Sequence, residues 1–131
     1  MKTLAFALAA LVALEHLGFL GLEMFAWTLP LGQTMFHTSP DFAKATAALA
    51  ANQGLYNGFL AAGLAFALAR GDVAMRLFFL GCVVVAGLFG AATAFIDILF
   101  VQALPAAVAF VATLAAGKRP APGWQARRPV P

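Results

Sequence analysis

Four apolar stretches, at about residues 3 to 28, 41 to 69, 73 to 94 and 98 to 117, fill most of this 131-residue chain. Each approaches or exceeds the roughly 20 residues an α-helix needs to cross the hydrocarbon core of a bilayer. Backbone groups in lipid must be satisfied within their own segment, so each stretch is expected to be a helix. Hydrophobic residues make up 63% of the chain and charged residues 10%, against roughly 25% charged in ordinary soluble domains, and that excludes a soluble globular protein. The expectation is an all-α chain: a four-helix transmembrane bundle over residues 1–117, followed at 118–131 by a basic, proline-rich tail with too little apolar area to fold.

Local signals place the breaks. Leu29-Pro30-Leu31-Gly32 ends the first stretch. Ser39 is a natural N-cap for the second, with Pro40 at its first position and Asp41 favourable to the helix dipole. Arg70-Gly71-Asp72 reads as a tight turn, and only Phe95-Ile96-Asp97 separates the last two stretches. The start, Met1 to Leu14, resembles a secretory signal. However, apolar character continues past Glu15 to Trp27 and no small-x-small site follows, so the segment reads as a mature membrane helix.

Lys2, Arg70, Arg76, Lys118, Arg119, Arg127 and Arg128 fall at the termini or the second junction, and only Lys44 flanks the opposite side. The positive-inside tendency then puts both termini in the cytoplasm, with Trp27 in the outer aromatic belt. A net charge of +3 confined to the ends offers no stripe for nucleic acid, and the lipid bilayer is the expected partner. Cys82 lies in an apolar run without a second cysteine and reads as a small hydrophobe.

Polar residues inside these stretches carry the functional signal, because a charge at bilayer depth costs about 2.5 to 3.5 kcal/mol on insertion scales. At about 1.5 Å per residue from the cytoplasmic ends, Glu15 and His16 lie about 17 Å deep and Asn57 about 19 Å. Glu23, Asn52 with Gln53, and Gln102 lie at about 29, 26 and 22 Å. Two layers result, with Glu15 expected near Asn57, and Glu23 near Asn52, Gln53 or Gln102. Glu15, His16, Phe19 and Glu23 share an arc of about 100°, and Asn52, Gln53, Tyr56 and Asn57 one of about 140°. These polar faces are expected to turn toward each other. Small residues at Gly54, Gly58 and Ala62, matched by Ala86, Gly90 and Ala94, suit close packing.

Several of these segments together resemble a known family. Glu15-His16, Glu23-Met24-Phe25-Ala26-Trp27, the run from Asn52-Gln53-Gly54-Leu55-Tyr56-Asn57-Gly58 to Leu64, Gly87-x-x-Gly90 with Thr93, and Gln102-x-x-Pro105 resemble the small bacterial membrane family called domain of unknown function 1304, over about residues 4 to 117. The resemblance implies a compact four-helix integral membrane protein, multi-pass in a bacterial cytoplasmic (inner) membrane. It carries over no catalytic residue, but it places Glu15, His16, Glu23, Asn52, Gln53, Tyr56, Asn57, Gln102 and Pro105 at signature positions.

The chemistry open to these residues is limited. A metal needs three or four convergent ligands, while His16 and Glu23 are about 10 Å apart along the helix axis and no second histidine lies at depth. Glu15 and Glu23, about 12 Å apart, do not form a directly cooperating acid and base pair. No cofactor or metal is implied. Glu15, His16, Glu23, Asn52, Gln53, Tyr56, Asn57 and Gln102 are expected to bind or conduct a small polar or amphipathic molecule, or protons, with Glu15 uncharged at rest unless His16 is charged beside it. Transport would favour a homo-oligomer, since four helices are few for an alternating-access carrier. The other readings are a membrane-embedded enzyme using Glu15 or His16 as general base, and a structural subunit in which the cluster is interhelical glue.

Overall fold

In the computed structural model, which describes residues 1–117, helices from Lys2 to Gly117 joined by short connections make up nearly all of that range. Helix α1 spans Lys2–Gly21 and runs on through a π-helical segment, Leu22–Ala26. A short helix α2, Pro30–Met35, follows; then come α3, Pro40–Arg70, and α4, Val73–Thr93. A second π-helical segment, Leu99–Ala103, leads into α5, Leu104–Gly117. The basic tail expected at 118–131 lies outside the described residues.

The expected breaks occur where local chemistry placed them. Ser39 accepts a hydrogen bond from Phe42 N at 3.2 Å, with Pro40 at the first position of α3. Gly71 ends α3 in the left-handed conformation, φ 64°, where a residue without a Cβ carries no steric penalty. Asp72 then caps α4 by accepting from Met75 N at 3.0 Å. Helix α2 occupies the connection between the first two stretches. Its Gly32 is buried against the backbone of Ala26 and Trp27, too close for any side chain.

Four long helices pack in a ring, α1 on α3 and α5, and α4 on α3 and α5. Each contributes to one core, made of Ala9, Val12 and Ala13 from α1, Leu64 from α3, Leu80 and Val83 from α4, and Ala106 and Ala109 from α5. Alanine predominates in it, as expected where helices associate by close backbone approach rather than by hydrophobic exclusion from water. Three helices, Lys2–Ala26, Val73–Thr93 and Leu99–Gly117, are long and apolar enough to cross a membrane. At 31 residues, about 46 Å, α3 is the longest, and its polar residues between positions 52 and 57 make it the least apolar.

The small-residue strips take different partners from those their spacing suggested. Gly54 lies against Leu20, Glu23 and Met24 of α1, and Gly58 against Leu20. Gly87 of α4 closes on the backbone of Ala103, and Gly90 meets Ile98. Ala62, Ala86 and Ala94 are exposed. A four-residue spacing marks a face that permits close approach without specifying which helix uses it. Arg76, counted from sequence among the basic residues of the second junction, is only 7% exposed, and its Nε has no partner among the described residues.

Candidate functional site

Helix α1 turns Ala5, Ala9, Val12, Ala13 and His16 inward, and the polar side chains enter the bundle from this face. His16 is fully buried; its Nδ1 donates to Val12 O at 2.8 Å, and its ring meets Phe19 edge-on with centroids 5.6 Å apart. A carbonyl oxygen only accepts, so Nδ1 carries the proton, and in the neutral ring Nε2 is left as a lone-pair acceptor. That Nε2 is buried without a partner. Glu15 Oε2 is likewise buried and unpartnered. The two side chains leave α1 about 100° apart, and His16 Nε2 and Glu15 Oε2 do not bond each other.

Asn57, 5% exposed, is the inward polar residue of α3, and its Nδ2 donates to Glu23 Oε2 at 2.7 Å. This corrects the expected pairing of Glu15 with Asn57. The depth count assumed that the start of α1 and the end of α3 were level. With Glu23 facing Asn57, and Leu20 and Met24 facing Gly58 and Gly54, α1 extends about 12 Å beyond the Arg70 end of α3. Glu23 pairs across to α3 as expected, but through Asn57.

The expected mutual facing of the polar arcs is also only partly realised. Asn52, Gln53 and Tyr56 are exposed on the outside of α3, because the face that closes on α1 carries Gly54 and Asn57. Gln102 is half-buried in the second π-helical segment. Trp27, expected in an aromatic belt, donates from Nε1 to Thr46 Oγ1 at 3.1 Å and packs on Phe36, centroids 4.9 Å apart, tying α1 to α3.

Each π-helical segment contains one of the residues picked out by sequence, Glu23 in the first and Gln102 in the second. Such wide turns recur at functional sites because they re-aim side chains that a regular helix would send elsewhere. Pro105 accounts for the second. It has no N–H to donate, and its ring would strike the carbonyl of Val101 in a regular turn, a strain that the wider turn relieves. Nothing in the sequence marks the first. Among the described residues no three His, Cys, Asp or Glu side chains gather closely enough to hold a metal ion.

An all-helical architecture with three helices long and apolar enough to cross a bilayer, and carboxyl, imidazole and amide groups on its inner faces, is that of an integral membrane protein. The chain belongs to the family described as protein of unknown function (DUF1304), whose model matches residues 10–114. No curated protein and no solved structure matches it significantly.

Proposed function

We propose that this is a four-helix protein of the bacterial inner membrane, with both ends cytoplasmic, that binds a small hydrogen-bond-donating molecule or passes protons at Glu15, His16 and the Glu23–Asn57 pair. The observation that carries the reading is the unmet hydrogen bonding at His16 and Glu15. His16 Nε2 offers a lone pair, and Glu15 Oε2 is an acceptor when the carboxyl is charged and can donate when it is not; both are buried without a partner among the described residues. His16 Nε2 lacks a donor. A buried polar atom left unsatisfied costs about 1–3 kcal/mol, so the bundle favours a proton, water, a hydroxyl or an ammonium at these positions. His16 and Glu23 lie on one face of α1 about 10 Å apart, a span suited to a short relay or a small polar ligand rather than a bulky one. The half-buried Gln102 adds an amide near the end of the bundle that holds Glu23.

The test uses wild type, Glu15→Gln, His16→Phe and Glu23→Gln, purified and reconstituted into liposomes enclosing a pH-sensitive dye, with native mass spectrometry of the same proteins in nanodiscs. Wild type should either carry a bound donor molecule or pass protons faster than protein-free vesicles. His16→Phe should lose that property while keeping its helical circular dichroism. A folded wild type with neither bound molecule nor proton flux would refute the reading.

A further inference from the structure

We infer that α3 carries a homodimer seam, along which two copies of this chain pack α3 against α3 in parallel through Leu49, Asn52, Tyr56 and Phe59. All four are exposed, and Leu49 and Tyr56 remain 77% and 54% accessible. They lie opposite the face that α3 buries through Ala50, Gly54, Asn57, Ala61 and Leu64. Their spacing of three, four and three residues is that of the a and d positions of a coiled coil.

Exposed leucine and phenylalanine alone carry no weight on a molecule whose outer surface faces lipid. The polar residues do. Asn52 lies about 18 Å from the Pro40 end of α3 and about 27 Å from the Arg70 end, with Gln53 and Tyr56 beside it. At that depth lipid offers no hydrogen-bond partner, and among the described residues none of these three side chains bonds within its own chain.

The chemistry selects a second copy as the occupant. An amide is both donor and acceptor and carries no charge, so a two-fold axis along the membrane normal sets each Asn52 against the other with donors meeting acceptors and no repulsion. The charged residues of α3, namely Asp41, Lys44 and Arg70, stand near its ends and clear of the seam. A single asparagine in an apolar seam also fixes register and pairing. The inference rests on α3 crossing the membrane and is independent of the unpartnered groups on α1.

The experiment replaces Cys82 with Ser and introduces single cysteines at Leu49, Asn52, Tyr56, Leu55 or Ala62, followed by oxidative cross-linking in native membranes. Dimers are expected at the first three positions and not at Leu55 or Ala62, which are exposed on another side of α3. In parallel, energy transfer between labelled copies is followed as lipid dilutes them, and Asn52→Leu combined with Gln53→Leu should weaken the dimer at least tenfold. A monomeric wild type overturns the proposal and leaves the ligand test intact. So do cross-links that do not follow the seam, or a folded double variant as dimeric as wild type. The cysteine scan decides the matter even if the double variant does not fold.

Discussion

The Glu23–Asn57 bond joins a carboxyl group on the first helix to the buried amide of α3. Removing one partner should therefore cost more than altering it. Glu23→Ala strands the buried Asn57 amide, and a destabilisation of about 1–3 kcal/mol is expected. Glu23→Gln retains an oxygen that accepts from Asn57 Nδ2, and the loss should stay near 0.5 kcal/mol, in line with the modest value of hydrogen bonds between membrane helices. Thermal or denaturant unfolding in detergent distinguishes them, and equal losses would show that Asn57 finds another partner. That these residues belong to one interior was legible in the sequence, because charges and amides at bilayer depth need partners. Which carboxylate meets Asn57 was not. Depth counting fixes position along a helix but not the stagger between two helices, and an error of two turns exchanges Glu15 for Glu23.

Among the elements, helix starts and stops were the most legible part of the chain, since Ser39, Pro40, Gly71 and Asp72 act on backbone within a few residues of themselves. The π-helical segments were harder to read: one is explained by Pro105, and the other, around Glu23, by nothing local. The glycines show the same division between local and distant causes. Gly87 has no side chain because a Cβ there would sit 2.7 Å from Ala103 N and 2.9 Å from Ala103 Cα, and backbone cannot move aside cheaply. Gly87→Ala is expected to destabilise the α4–α5 packing by about 1–3 kcal/mol. Gly18, with nothing within 4 Å of the corresponding position, should accept alanine with no loss or with a gain of up to about 1 kcal/mol from helix propensity. Resistance to unfolding in detergent is the measurement, and equal tolerance at the two sites would mean that α4 and α5 are not held so closely.

At the scale of the molecule, the alternation of the long helices puts Met1 and the Gly71 turn at one end of the bundle, and α2 and the connection at 94–98 at the other. The described basic residues divide unevenly between these ends: Lys2, Arg70 and Arg76 at the first against Lys44 at the second. Basic residues close to membrane spans tend to be retained in the cytoplasm, which supports the proposed orientation with the Gly71 end inward. Arg76 strengthens this orientation. It sits in the first turn of α4 and is almost wholly covered by protein, so the charge is fixed at that end of the bundle. Single cysteines in a Cys82→Ser background, placed at Gln33 and at Asp97, should react with a membrane-impermeant thiol reagent applied to intact cells. A cysteine at Asp72 should react only after the membrane is opened. Labelling of all three in intact cells, or of Asp72 alone, would reverse or dissolve the four-span arrangement. It would also displace the depth argument for Asn52, because α3 would then no longer have to satisfy its amides inside lipid.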